Sequence, residues 1–344
     1  MTLPAHLDIA TIRSITAGAT GVIDVSCPEC GPSRRSAANK TRKVLRIWDD
    51  GEFATYLCAR CGIRGWAADH GATSGTRLSE RRISQEPKKE KTGTARFLWE
   101  QSQPLRGSLA EIYLRSRRCF VDSQNLRFLP ARGDHPPAMI ARFGCGEVTG
   151  IHLTRLKPDG SGKAGTDRDK IMIGPSVGQP IVIQENDDRG DLVVTEGIED
   201  AASFAVATGW SAWAAGAGGR IPAIIAAAQK YDPLFSAFDD DAPIPLRAAD
   251  GRLKGYRLGA GPAAKAAALA IRPDLIPVDL GRLLGRKSDA NRVLQDHGSD
   301  VLLAALDWSL AQTRHRRGEI GFHAMLAQMA GPDRVFSEIA RGAA

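Results

Sequence analysis

Two short segments, "CPECG" at Cys27 to Gly31 and "CARCG" at Cys58 to Gly62, constrain this chain more than anything else in it. In each, two thiols three residues apart in a tight knuckle turn toward one point, and the trailing Gly31 or Gly62 permits the turn. Four such donors close a tetrahedral zinc site. The interval from Gly31 to Leu57 is longer than in compact fingers and fits a zinc ribbon, in which a β-hairpin separates the knuckles. "KVLRIWDDGEFATYLC" supplies that hairpin, with strand-like alternation on both sides of a turn at Asp49 to Gly51. The alternatives, a redox pair or coincidence, do not account for two knuckles of the same form. Cys27, Cys30, Cys58 and Cys61 leave no open position for water, so zinc here is structural. Cys119 and Cys145 stand alone and are expected as small core hydrophobes, and His70 as a surface residue.

What such a ribbon does depends on its surface. "RRSAANKTRK" lies between the knuckles, with Trp48, Tyr56 and Trp66 nearby. Basic and aromatic groups together can grip a phosphate backbone and stack bases, Trp66 being the nucleic-acid candidate; at least one of Trp48 and Tyr56 is expected in the ribbon core instead.

At 344 residues the chain has room for about two domains and a proper core. Its 46 basic residues exceed its 39 acidic ones, a net +7 that suits a polyanionic partner. The amino terminus carries no basic start followed by an apolar run, and no segment reaches the apolar length of a membrane span. The expectation is a cytoplasmic protein without a membrane partner, its cysteines reduced.

Pattern changes divide the chain into residues 1–70, a zinc ribbon; 71–94, a charged linker poor in large apolar residues; 95–185, a basic mixed α+β subdomain; 186–290, an α/β domain; and 291–344, a helical tail. In 95–185, two helical stretches split by Pro104 and Gly107 precede two strands joined by a glycine turn. From Asp191 the chain alternates: "DLVVTE", "SAWAA", "PLFSAF" and "DLIPVDL" read as strands separated by alanine-rich helices. Alternation of this kind predicts a mainly parallel sheet flanked by helices.

Two of those strands end in acids. In an open parallel sheet ligands gather at the carboxyl ends of strands. Glu196 ends the first, Asp239, Asp240 and Asp241 end the third, and Asp200 lies one helical turn beyond Glu196. Clustered carboxylates repel one another unless cations are present, and an all-oxygen donor set selects Mg²⁺ or Mn²⁺. Divalent ions held this way serve phosphoryl transfer. Helix capping explains Glu199 and Asp200 equally well, but not three consecutive aspartates after a buried strand.

"VVTEGIEDA" followed by "SAFDDDA" resembles the TOPRIM domain, the catalytic module of bacterial replicative primases, topoisomerases and some small nucleases. Its Glu-Gly pair and Asp-x-Asp are matched by Glu196, Gly197, Asp239 and Asp241. "GRKSDANRVLQDHG" resembles the Asp-x-Asn segment that follows TOPRIM in phage and plasmid primases, related to bacterial DnaG-type primases. It brings in Asp289 and Asn291. Those proteins commonly have Asp after this Asn; here it is Arg292, which leaves Asp289, with Asp240, as a secondary metal ligand. "GSLAEIYLRSRRC", "LRFLP" and "GIHLTRLKPDGSGKA" extend the likeness, which with the ribbon runs from about residue 20 to about residue 300.

The resemblance implies a primase that makes short oligonucleotide primers on single-stranded DNA from nucleoside triphosphates, beside a replicative helicase supplied by another protein. Asp239 and Asp241 would hold Mg²⁺ or Mn²⁺. Glu196 would share a metal or assist deprotonation of the 3′-hydroxyl, and Asp200 and Asp240 would support them. Arg155, Lys163, Arg168 and Lys170 precede the acids as a template or nucleotide guide. Arg252, Lys254 and Arg257 sit in an inserted loop after them, which touches template or triphosphate or is merely solvated. "GSGK" is no P-loop, since Lys157 holds the first glycine position and Ala164 replaces the hydroxyl residue. The alternatives are a TOPRIM nuclease with water as nucleophile, and a non-catalytic recombination mediator of the RecR kind; the basic middle region favours the primase over the first and the intact acid set over the second. The chain is too short for a topoisomerase clamp.

Overall fold

In the computed structural model the described residues are 7–32, 37–51, 53–68, 89–188, 190–247, 253–284 and 288–342. His70, Arg252 and the side chains of Lys254 and Arg257 lie outside them, as does the expected linker up to residue 88. The chain divides into two units, residues 1–84 and 85–344.

The first unit contains α1 (Ile9–Thr16), β1 (Gly21–Ser26), α2 (Ala37–Lys40), β2 (Lys43–Asp49), β3 (Phe53–Cys58) and β4 (Arg64–Ala68). Its strands form one antiparallel sheet in the order β1-β2-β3-β4. Strand periodicity of two puts Leu45, Ile47, Ala54, Tyr56 and Ala67 on the inner face with the cysteines. The expected hairpin turn is present. Asp49 accepts from the Gly51 amide and Asp50 from the Phe53 amide, each at 2.8 Å, and Gly51 at φ 97° takes the left-handed conformation that favours glycine. Of the two aromatics in question, Tyr56 is the buried one, and its hydroxyl accepts the Leu7 amide at 2.8 Å. Trp48 pairs across the sheet with Thr55 and Thr55 with Trp66 on the outer face, where Phe53 stacks on Trp66 at 5.7 Å.

The second unit begins with α3 (Lys89–Glu100), so a helix occupies the last part of the segment read as linker. Then come β5 (Gln103–Pro104), α4 (Leu109–Ser116), β6 (Leu126–Leu129), β7 (Ala138–Arg142), β8 (Ile151–Arg155) and β9 (Lys170–Ile173). These five strands form an antiparallel sheet in sequence order. Ser108 caps α4 by accepting the Ala110 and Glu111 amides, and the helix buries Ala110, Tyr113 and Leu114.

A second five-stranded sheet follows, with β10 (Ile181–Gln184), β11 (Leu192–Thr195), β12 (Ser211–Ala214), β13 (Leu234–Ala237) and β16 (Ile276–Val278) in the order β10-β12-β11-β13-β16. The last four are mutually parallel; β10, just before the boundary expected at residue 186, is an antiparallel edge. Between β13 and β16 the inserted loop forms a hairpin of β14 (Ile244–Arg247) and β15 (Leu253–Arg257). The helices are α5 (Ile198–Thr208), α6 (Ile221–Ala227), α7 (Ala260–Ile271), α8 (Leu280–Leu284), α9 (Ala290–His297), α10 (Ser299–Arg316) and α11 (Phe322–Gly342).

Alternation along β11 explains the layering. Val193 faces Phe204 of α5 together with Val293 and Leu302 of α9 and α10, whereas Leu192 and Val194 face Ile224 and Ile225 of α6 and Ala268 of α7. The first of these cores continues through Tyr113, Leu114, Met139 and Phe143, so the antiparallel and parallel sheets share one apolar interior. Cys119 is buried in it as expected; Cys145 is exposed, because its Phe-Gly-Cys-Gly turn carries it out to the surface after Phe143. No helix among the described residues is long and apolar enough to cross a membrane.

Candidate functional site

In the first unit, the sulfur atoms of Cys27, Cys30, Cys58 and Cys61 all lie within 4.8 Å of one another. Each knuckle closes by a backbone hydrogen bond, Gly31 N–H to Cys27 O at 2.8 Å and Gly62 N–H to Cys58 O at 2.9 Å. A Cβ on Gly31 would meet Cys27 O at 2.6 Å, which is why glycine follows the knuckle. Burial, then the neighbouring Cys61 and Cys58, pushes the Cys30 thiol up to about 11. Four convergent thiols, three of them buried, are a donor set that fits zinc, whose charge would favour the thiolates.

In the second unit, β11 lies directly against β13, with Val194 opposite Ser236, so their carboxyl ends are neighbours. From β11 the chain passes to β12 on one side and then returns to β13 on the other. The two acidic strand ends therefore flank a topological switch point, where open α/β sheets hold ligands. Glu196, Asp200, Asp239 and Asp289 line one small cavity there, with Thr195 and Ser288. Asp239, Asp240 and Asp289 also line a wider cleft of about 280 Å³ with Arg117 and Arg292. Asp241 lines neither; its Oδ2 accepts the Gly261 amide at 3.2 Å at the start of α7. Among the described residues the cysteines are the one group of three or more such donors that converges to within 4.8 Å; no three carboxylates do.

Glycines make this edge possible. A Cβ on Gly261 would strike Asp239 O at 1.8 Å, and one on Gly197 would reach Asp200 Oδ2 at 2.6 Å. The Gly of the Glu-Gly pair thus makes room for an acid in the next turn.

The electrostatics are those of negative charge held without a counterion. Burial, then Asp239, raises Glu196; burial, then Asp289, pushes Asp200 up to about 7. Asp200 Oδ1 accepts the Asn291 amide at 3.0 Å. Asp289 caps α9 by accepting the Arg292 amide at 2.7 Å, so one of its oxygens already serves the helix.

Of the basic candidates, Lys163 and Lys170 come to this edge. Lys163 Nζ lies 2.8 Å from Glu199 Oε1, which also accepts the Tyr113 hydroxyl at 2.6 Å. Burial would raise Glu199, but Lys163, then Lys170, and the hydrogen bonds hold it well below the usual carboxylate range. Arg155 and Arg168 line neither cavity. The "GSGK" segment is a turn closed by the Leu156 and Lys163 bridge and leads into strand β9, not a helix. His152, buried beside it, is pushed down to about 4 by burial and Lys170, so it is neutral at pH 7.

Sequence reasoning missed two residues and misjudged the role of a third. Glu199, read as a helix-cap residue, is the fully buried anchor of the lysine. Tyr113, in the second of the two expected helical stretches, is the other partner of Glu199. Asn291, 1% exposed, donates from Nδ2 to Arg117 O at 3.0 Å and Ser203 Oγ at 2.9 Å, fastening α9 to α5 and to the end of α4. The "SDANR" stretch signalled Asn291, but not that its work is structural.

Among known proteins the structural neighbours are primase domains of the DnaG type. The chain is similar to the primase fragment of the bacteriophage T7 primase-helicase protein at 12% identity, covering 83% of this chain and 99% of that one at a TM-score of 0.39. It is similar to the Aquifex aeolicus primase, zinc-binding and RNA polymerase domains, at 14% identity over 96% and 93% of the two chains, TM-score 0.39. The RNA polymerase domain of Mycobacterium tuberculosis primase DnaG gives 16% identity over 73% and 95%, TM-score 0.39. Residues 89–183 match the family described as a domain of unknown function, DUF7146. No curated protein matches the sequence.

Proposed function

We propose that this chain is a zinc-ribbon TOPRIM primase, a nucleotidyltransferase that builds short primers on single-stranded DNA. The observation that carries the reading is the juxtaposition of Glu196 and Asp239 at the carboxyl ends of adjacent parallel strands, with Asp200 and Asp289 in the same cavity. Hydrogen bonds alone do not justify so costly a gathering of carboxylates, and the raised Glu196 and Asp200 are what an acid set awaiting a divalent cation displays.

On this reading residues 1–70 form the ribbon, 95–185 the basic subdomain, 186–290 the TOPRIM domain and 291–344 the helical tail. Asp239 and Asp241, with Glu196, would hold Mg²⁺ or Mn²⁺, which when bound neutralises charge developing on the phosphoryl oxygens. Alternatively Glu196, instead of sharing the metal, would take the proton of an attacking 3′-hydroxyl, a role that its raised affinity for a proton supports. Asp200 and Asp240 support the ligands. Lys163 and Lys170 bring positive charge to the acids, Lys163 held by Glu199, which also accepts the Tyr113 hydroxyl. Arg155, Arg168, Trp66 and the inserted hairpin with Arg252, Lys254 and Arg257 would follow the template. Zinc at Cys27, Cys30, Cys58 and Cys61 would hold the ribbon that grips it, and unwinding would fall to a separate helicase.

The test is incubation of the chain with single-stranded DNA, Mn²⁺ or Mg²⁺ and labelled nucleoside triphosphates, resolved on a denaturing gel. Short labelled products that vanish in Asp239→Ala with Asp241→Ala support the reading. Shortened template without new product would make the same acids those of a nuclease, and DNA retention with neither product would make the chain a binding mediator.

A further inference from the structure

The wider cleft is lined by both signs of charge, with Asp239, Asp240 and Asp289 and also Arg117 and Arg292, together with Gln295. Arg117 comes from the end of α4, within the matched 89–183 segment, and Arg292 from the first turn of α9. Asn291 fastens both. Its side chain donates to the Arg117 carbonyl, and its successor Arg292 donates its amide to Asp289. Gln295 in turn donates to Asn291 Oδ1 at 2.8 Å, locking the amide that does this. The Asn291 side chain holds the backbone of Arg117, and Arg292 follows Asn291 in the chain, so two arginines more than 170 residues apart in sequence are brought to one cleft.

The fold leaves donors on both arginines for a further partner. Arg117 has a buried Nε without a hydrogen-bond partner. Arg292 is 67% exposed and makes a helical ion pair with Asp296 at 2.6 Å. A desolvated, unsatisfied guanidinium nitrogen costs stability, and such groups are kept where a ligand satisfies them. Planar guanidinium pairs fit phosphate oxygens by bidentate hydrogen bonding, and a cleft of about 280 Å³ admits a phosphate chain.

We propose that Arg117 and Arg292 form a phosphate subsite on the open side of the carboxylate edge, taking the β- and γ-phosphates of an incoming nucleoside triphosphate. The proposal rests on the nucleotidyl-transfer reading. It gives a reason for arginine after Asn291, where the proteins this segment resembles commonly carry aspartate: a cation there receives the ligand's phosphates directly instead of holding another metal. It also gives the 89–183 segment a task, the supply of a phosphate-binding arginine to acids borne elsewhere.

The experiment is equilibrium dialysis of radiolabelled ATP and AMP against the full chain in Ca²⁺, for the wild type, Arg117→Gln, Arg292→Gln, Arg292→Lys and Arg292→Asp. Each Gln variant is expected to weaken ATP about tenfold, the loss of one charge-assisted interaction, while leaving AMP within about twofold. Arg292→Lys falls between wild type and Gln, because it keeps charge and loses the fork, and Arg292→Asp weakens ATP most. Should Arg117→Gln fail to fold, the exposed Arg292 series decides alone. Undiminished ATP affinity in the Arg292 variants, with wild type binding ATP, overturns the subsite and leaves the transfer reading standing. A wild type that binds no ATP overturns both.

Discussion

The cysteine cluster and the carboxylate edge are both sets of four acidic groups, yet they are built in opposite ways. The cysteines come from two five-residue knuckles, and their sulfurs already lie within 4.8 Å of one another. The carboxylates come from the ends of β11 and β13, the first turn of α5 and the cap of α9, and they stand apart around a cavity. On the proposed reading the difference matches what each site would do. A closed, convergent thiol set holds an ion as part of the fold, whereas a spread, mutually repelling oxygen set leaves room for an ion and for what the ion acts on.

The largest effect should come from breaking the convergent site. Removing zinc with a strong chelator, or replacing Cys58 with Ser, should unfold the ribbon, since structural zinc contributes on the order of 10 kcal/mol at neutral pH. Loss of β-sheet circular dichroism, together with a red shift in tryptophan emission as Trp48 and Trp66 leave the sheet, would report it. An intact sheet without metal would mean that the core of Leu45, Ile47 and Tyr56 suffices.

The next effect tests the support of the dispersed site. Lys163→Ala would leave Glu199 buried without its nearest cation and should cost about 3 kcal/mol in urea unfolding. Lys163→Ala combined with Glu199→Gln should recover much of that loss. Costs of Lys163→Ala and Glu199→Gln that simply add in the double variant would deny that the pair is coupled.

The smallest and most graded effect concerns pH. Asp200 is raised to about 7, so between about 4 and 7 the folded chain holds a proton there that the unfolded chain has lost. Metal-free stability should therefore fall as pH rises through that window, and Glu196 adds in the same direction. Asp200→Asn should flatten the slope, and Mn²⁺ should offset it by repaying the ionised form. A slope unaltered by Asp200→Asn would place the strain elsewhere.

The same contrast explains what the sequence disclosed. Knuckles, the Asp-Asp-Gly hairpin turn and the strand-helix alternation after Asp191 are local, and all appear in the structure where local chemistry put them. The adjacency of Glu196 and Asp239 was legible through topology, because parallel strands align their carboxyl ends. Glu199 with Tyr113 was not, since 86 residues separate them and the pair exists only once α4 packs against α5. Asp241 illustrates the limit of motif reading: it sits at a motif position, yet here it touches the start of α7, which the inserted β14 and β15 hairpin separates from it in sequence. Cys145 was misplaced because one glycine-flanked turn decides between core and surface.

The central claim is that the dispersed acids transfer nucleotides. Its most direct measurement is the pyrophosphate released per nucleotide incorporated on single-stranded DNA in Mn²⁺, with template length followed in the same reaction. We predict one pyrophosphate per phosphodiester bond formed and full-length template, with the pyrophosphate lost and the template still full length in Asp239→Ala with Asp241→Ala. Template shortening without pyrophosphate would contradict the claim.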